Sequence, residues 1–287
     1  MNKVSKVVIP AAGLGTRLLP TTKEQPKEML PIFSNTNSGC LLVKPILQVI
    51  FEQLFDFGLR EYFFIVGRTK RAIEDHFTPD YEYLDKLKNE GKSEQVKGLK
   101  EFYLKLDKSN LAWINQHTPK GFGHSVLISK NLIGDNPFLV HAGDTVIISK
   151  KNQHLSSLLK KSSKNEGCRL LSKRVKDPRQ FGVIEGNLIK NREMRVTKLE
   201  EKPAKPKTDL AIMPLYRFEP IIFSALEKTK PDKRNEIQLT DAIKKIAKSS
   251  LHVNSLELND SDIWVDVGSP ETYWNALSQT YAHYSGN

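Results

Sequence analysis

Cysteine is scarce in this chain. Only Cys40 and Cys168 occur, far apart, with no Cys-x-x-Cys and no histidine at ligand spacing. That excludes a disulfide framework and a cysteine zinc site, and a reducing cytoplasm is the expected compartment. No apolar run approaches the ~20 residues a bilayer span needs. The apolar stretch after Met1-Asn2-Lys3-Val4-Ser5-Lys6 breaks at Pro10, too soon for a signal h-region, so a soluble chain with no membrane partner is expected. The seven histidines show no His-Glu-x-x-His spacing. No repeat is visible, and no hexapeptide array follows residue 250, which argues against a fused acetyltransferase domain.

Acidic residues are also in deficit, 33 against 44 Lys and Arg, for a net charge of +11. Such a balance suits nucleic acid, an anionic surface or small phosphorylated substrates. Lys150, Lys151, Lys160, Lys161 and Lys164 read as a solvated helix face with its ends, and no aromatic-interleaved basic stripe accompanies them. Nucleic acid is therefore not an expected partner.

What is present is a phosphate-cradling pattern. Val7-Val8-Ile9-Pro10-Ala11-Ala12-Gly13-Leu14-Gly15-Thr16-Arg17 reads as a strand feeding a glycine turn, with Pro26-Lys27-Glu28-Met29-Leu30-Pro31 close behind. Glycine lets backbone N–H groups approach a phosphate closely. The turn is neither a dinucleotide fingerprint, whose third glycine is replaced by Leu18, nor a P-loop, since no Gly-Lys-Ser/Thr follows. Instead a guanidinium, Arg17, follows the glycines and can grip phosphate oxygens in a fork, with Lys27 as a second cation.

Short β-rich runs at 6–11, 61–66, 111–115 and 137–142 alternate with helix-like segments at 44–57, 68–77, 122–133 and 152–163. This alternation predicts an α/β, Rossmann-like arrangement with helices flanking a sheet. In 44–57 the residues Ile46, Leu47, Val49, Ile50, Leu54 and Phe57 form a broad apolar stripe, stopped by Gly58. Residues 81–106 read as one or two surface helices. From 168 onward, strands are expected around 169–171, 182–185 and 196–199, with Glu185-Gly186-Asn187 as a turn. Helices follow at 219–228, 236–248 and 270–283, the last opened by Ser269-Pro270-Glu271. One domain over 1–287 is expected, with a first part to about 145 and a second, helix-ending part beyond.

Two aspartates attract attention. Asp144 ends the run Pro137-Phe138-Leu139-Val140 after Gly143, at a strand's carboxyl end where α/β sheets place ligands; it is either a ligand group or a turn aspartate. Asp266, between Val265 and Val267, is a carboxylate in a buried-looking strand, costly unless it meets a cation or hydrogen-bond donors.

The ordered series Gly13-Leu14-Gly15-Thr16-Arg17, Pro26 to Pro31, Lys120-Gly121-Phe122-Gly123-His124, Gly143-Asp144, Phe181-Gly182-Val183-Ile184, Glu200-Glu201-Lys202-Pro203, Asn235 to Ala242 and Val265-Asp266-Val267-Gly268 resembles the sugar-nucleotide pyrophosphorylases. Within them it is most similar to the bacterial and archaeal UTP–glucose-1-phosphate uridylyltransferases, whose branch carries a helical insertion like 81–106. The resemblance implies a mixed, mostly parallel sheet of the nucleotide-diphospho-sugar transferase type. It implies UTP and glucose 1-phosphate as substrates, Mg²⁺ held by Asp144 and Asp266, and a homo-oligomer, dimer or tetramer. Arg17, Lys27 and Lys202 would be the catalytic cations. Ala11, Ala12 and Gly13 by their backbone, with Gly15, Thr16, Glu28, Gln116 and Gly121, would form the nucleotide pocket in the part to about 145, and the Gly182 and Val183 backbone, with Glu201 and Lys202, the sugar site in the part beyond. A thymidylyltransferase using dTTP is the alternative, and a non-catalytic sugar-nucleotide-binding relative the third reading. The sequence departs from the branch at Met213-Pro214-Leu215, at His117 and in the polar stretch Ser34 to Cys40, which reads as a long loop beside the active site.

Overall fold

The computed structural model describes residues 4–36, 38–160 and 163–286. Met1 to Lys3, Asn37 of the polar stretch, and positions 161 and 162 of the expected 152–163 helix, with the Lys161 charge, lie outside the described residues.

In chain order the elements are β1 (Lys6–Pro10), β2 (Pro31–Asn35), β3 (Leu41–Pro45), α1 (Ile46–Phe57), β4 (Glu61–Val66), α2 (Arg71–His76), α3 (Tyr81–Asn89), α4 (Ser93–Asp107), β5 (Asn110–Asn115), α5 (Phe122–Leu127), α6 (Lys130–Ile133), β6 (Phe138–His141) and β7 (Thr145–Ile148). Then come α7 (Gln153–Leu159), β8 (Glu166–Arg174), β9 (Gly182–Lys190), β10 (Glu193–Glu201), β11 (Leu210–Phe218), α8 (Ile221–Glu227), α9 (Leu239–Ala247), β12 (His252–Glu257), β13 (Ile263–Asp266) and α10 (Pro270–Tyr284).

Nine strands form one sheet in the order β5-β4-β1-β6-β11-β8-β12-β10-β9. β5, β4, β1 and β6 are mutually parallel, while β11 and β10 run against their neighbours. The sheet is thus mixed and mostly parallel, as the resemblance implies. Alternation along β1 sends Val7 and Ile9 into one core layer and Val8 into the other. The first layer centres on Phe51 of α1, whose ring lies 4.9 Å from Tyr62, 5.4 Å from Phe77 and 5.9 Å from Phe102. Phe102 and Leu106 therefore anchor α4 of the helical insertion, whereas α3 buries no residue fully. The second layer packs α8 and α9 against Phe138, Val140 and Leu170. Burial of this apolar surface, at roughly 25 cal/mol per Å², drives both layers.

Several expectations need correcting. Residues 44 and 45 belong to β3, because Pro45 cannot supply an interior helix N–H, and α1 starts at Ile46. The 122–133 helix is split at Ile128 and Ser129 into α5 and α6. The 236–248 helix begins at Leu239, after an extended Gln238. Glu185-Gly186-Asn187 is no turn: these residues lie inside β9, and the chain reverses at Asn191, whose φ of 53° is left-handed. Gly186 is needed there because a Cβ would stand 2.1 Å from the carbonyl oxygen of Arg195, beside a register shift in the β9–β10 ladder. Of the polar stretch, Ser34 and Asn35 end β2 and pair with Leu42 and Leu41 of β3 in a hairpin. Its first strand is tied to α10, where Phe33 N donates to Thr280 Oγ1 (3.3 Å) and Asn35 Nδ2 to the Tyr284 carbonyl (3.3 Å). Lys150, Lys151, Lys160 and Lys164 are exposed around α7, as expected of a solvated face. No helix among the described residues is long and apolar enough to cross a membrane.

Candidate active site

Because β1, β4, β5 and β6 are parallel, their carboxyl ends share one edge of the sheet. That edge gathers Ala11 to Gly15, Gly67 to Lys70, Gln116, and Gly143-Asp144. A cavity of about 370 Å³ opens there, lined by Ala12, Gly13, Gly15, Thr16, Lys27, Glu28, Gln116, Gly121 and Asp144 among others. Gly15 has φ 65°, and its carbonyl accepts from Thr22 Oγ1 at 2.8 Å, which fixes the turn. Ala11 does not line the cavity: it continues the strand, donating to the Ile65 carbonyl at 2.8 Å, and its methyl is in the core. Gln116 is buried; its Nε2 lies 2.8 Å from His124 Nδ1 and its Oε1 accepts from Ser125 Oγ at 3.1 Å. His124 thus orients the amide from α5, while His117 is exposed and away from the lining.

A charge cluster forms the inner wall. Lys27 Nζ donates to Asp144 Oδ2, and both side chains are largely buried. Lys70 Nζ donates to Glu28 Oε2 at 2.8 Å, with both residues almost wholly buried. Burial opposes the charge on Lys27, but Asp144 and Glu28 outweigh it and hold the ammonium above the ordinary lysine range. Burial likewise opposes ionisation of Asp144, yet Lys27 keeps its carboxyl below the usual carboxylate range. The sequence signal for Lys70 is weak, a lysine four residues beyond the carboxyl end of β4.

Asp266 reaches the cluster through a ribbon. β13 pairs antiparallel with β7, setting Asp266 opposite Thr145, and the next amide, Val267 N, donates to the Asp144 carbonyl at 3.1 Å. Burial and the neighbouring Asp144 raise the Asp266 carboxyl to about 6, against the pull of Lys27 and Arg17. Arg17 enters from the glycine turn: a Cβ on Gly268 would lie 3.0 Å from both Arg17 Nη2 and the Asp266 carboxylate oxygens. Asp144, Asp266 and Glu28 are thus set against Lys27, Lys70 and Arg17.

A second cavity, about 330 Å³, shares Asp144, Phe122 and Glu236 with the first and is also lined by Arg17, Gly182, Glu201, Lys202, Thr240 and Asp266. Glu201 Oε2 accepts from Thr240 Oγ1 at 2.6 Å, which aims the carboxylate. Lys202 sits in a left-handed backbone (φ 45°), its N–H donating to the Phe181 carbonyl at 3.0 Å. That conformation is sparsely populated by non-glycine residues. It turns the lysine off the end of β10 toward the cavity. The buried Val183 lines a separate cleft behind β9, which leaves only its backbone for the sugar side. Glu236, Gln238 and Thr240, read in the sequence only as part of a helix start, are wall residues here. Pro214 also lines this cavity, while its carbonyl still accepts from Ala142 N at 3.0 Å.

Comparison with known proteins accords with this geometry. The family model described as nucleotidyl transferase matches residues 6–283. The chain is 34% identical to a UTP–glucose-1-phosphate uridylyltransferase of Pseudomonas aeruginosa, over 98% of this chain and 97% of that one. It is 39% identical to one of Bacillus subtilis, over 86% and 81% of the two chains. A solved UDP-glucose pyrophosphorylase complexed with UDP-glucose superposes with a TM-score of 0.82 at 30% identity, covering 99% of this chain and 100% of that one. With two adjoining cavities joined at an aspartate, and matches of this extent, the chain belongs to the nucleotidyl transferase family, among the UTP–glucose-1-phosphate uridylyltransferases.

Proposed function

We propose that this protein makes UDP-glucose and pyrophosphate from UTP and glucose 1-phosphate. The observation that carries this reading is the pair of cavities that meet at Asp144, one edged by a glycine turn and the other by Glu201 and Lys202. The nucleophile, a sugar phosphate oxygen, is already ionised at neutral pH, so no general base is required. The work is to bring two polyanions together in line and to stabilise the leaving charge.

In this reading the Gly13–Gly15 backbone, Thr16, Arg17 and Lys27 hold the triphosphate. Gln116, oriented by His124 and Ser125, presents a donor and an acceptor to the base edge. Glu201 receives hydrogen bonds from sugar hydroxyls, and Lys202 takes the sugar phosphate. Lys27 serves both the α-phosphate and the position of Asp144.

The donor set fits Mg²⁺. Burial, and then the neighbouring Asp144, raise Asp266 to about 6, which a divalent cation between the two carboxylates would relieve. The cluster of Asp144, Asp266 and Glu28 with Lys27, Lys70 and Arg17 balances three carboxylates against three cations, so Arg17 and Lys27 can contact the triphosphate without neutralising it. Mg²⁺ takes one or two carboxylates plus waters and phosphate oxygens, so Asp144 and Asp266 would hold it. It would supply charge neutralisation of the phosphates. We further propose one catalytic unit over 1–287, a cytoplasmic location in keeping with two free thiols, and self-association.

The test is pyrophosphate release from UTP and from dTTP, each with glucose 1-phosphate and Mg²⁺. Release with UTP and little with dTTP is expected. A preference for dTTP, or no release with either, overturns the reading.

A further inference from the structure

Behind the sugar-side wall lies a separate cleft of about 280 Å³, between the β9–β10 hairpin, the connection that follows β10, and α9. Lysines reach it from three directions: Lys198 from β10, Lys207 from the connection, and Lys244 with Lys248 from the last turn and C-terminal end of α9. Lys198 is partly neutralised by Glu185 at 3.4 Å, while Lys207, Lys244 and Lys248 make no ion pair among the described residues. Four lysines line this small concavity against two acidic residues, Glu185 and Glu200, so its lining carries a net positive charge that focuses a positive potential into it. The last turn of a helix favours lysines, which accounts for Lys244 and Lys248. It does not account for Lys207 and Lys198 converging on the same space. The floor is apolar, made by Val183 and Leu199, and lowers the local dielectric under any bound charge.

We propose that this cleft is a second anion site, taking a small molecule that carries two phosphate groups, one held by Lys244 and Lys248 and the other by Lys198 and Lys207. The cleft is next in chain to the proposed sugar site: Val183 follows Gly182, and Leu199 and Glu200 precede Glu201 and Lys202, in the register Glu200↔Val183 and Glu201↔Gly182. An occupant that pins the β9–β10 ladder therefore also pins Glu201 and Lys202, and lowers KM for the sugar phosphate. That catalytic consequence rests on the function proposed above; binding does not.

Calorimetric titration of the full chain with fructose 1,6-bisphosphate, without UTP or glucose 1-phosphate, separates the two. Saturable binding at one site per chain is expected, weakened roughly ten-fold or more in Lys244→Ala/Lys248→Ala and changed by less than about two-fold in Lys202→Ala. Both altered lysines of the double variant are exposed, so the fold should persist, checked by its thermal midpoint. No saturable binding, or binding weakened as much by Lys202→Ala as by the double variant, overturns the proposal.

Discussion

Asp144 and Asp266, far apart in sequence, are neighbours in space because β13 lies antiparallel on β7 and the Val267 amide bonds to the Asp144 carbonyl at 3.1 Å. The backbone pairing, not the side chains, enforces the approach, since the two carboxylates repel each other. Lys27 and Arg17 from the N-terminal turns offset that repulsion. The arrangement puts carboxylates and cations together on the cavity walls: Lys27, Glu28 and Asp144 line one cavity, and Arg17, Asp144 and Asp266 the other.

The buried Lys70–Glu28 pair should be fragile when halved. Lys70→Met leaves a carboxylate in the core without its partner, and is expected to cost about 3–5 kcal/mol in urea unfolding. Adding Glu28→Gln should recover much of that loss, because the uncompensated charge is gone. Equal stability of Lys70→Met and wild type would show that the pair has no structural role.

Gly182 leaves just enough space for the Glu201–Thr240 bond. A Cβ there would stand 3.1 Å from Glu201 Oε2 and 3.3 Å from Thr240 Oγ1. Gly182→Ala should therefore displace the Glu201 carboxylate and raise KM for glucose 1-phosphate by roughly ten-fold, about 1.4 kcal/mol, with KM for UTP little changed. Steady-state kinetics with each substrate varied in turn measures this; a rise confined to UTP would move Glu201 out of the sugar site.

His141 and His154 are buried. Burial lowers His141 to about 4, and burial with the nearby His141 lowers His154 to about 3. Between these values and the ordinary 6.5 the unfolded chain binds protons that the folded chain does not. Stability is thus present above about pH 6.5 and is lost as pH falls, at about 1.4 kcal/mol per pH unit for each proton. Unfolding free energies of His154→Gln between pH 4 and 6 should show a slope shallower by about one proton than wild type. An unchanged slope would mean that His154 is protonated in the fold.

Much of the site was legible in sequence, and the reasons are physical. Glycines before Arg17, and an aspartate ending an apolar run, carry local signals that need no tertiary context. The β2–β3 hairpin was hidden because its polar end resembles a loop until α10 packs beside it. Glu185-Gly186-Asn187 has turn composition, but the close approach of Arg195 makes Gly186 a strand residue. Lys70, His124 and Thr240 act by holding Glu28, Gln116 and Glu201, and such support depends on distances that linear order does not encode. The side chains of Val183 and Ala11 turn to the rear cleft and into the core, so any part these residues have in the site falls to their backbone.

The most direct measurement is turnover, as pyrophosphate release from UTP and glucose 1-phosphate with Mg²⁺, in Asp144→Asn and Asp266→Asn beside wild type, with thermal midpoints to verify folding. Loss of one such preorganised charge is expected to reduce kcat by about 100-fold to 1000-fold in each variant while the fold persists. Near-native turnover in both folded variants would contradict the account.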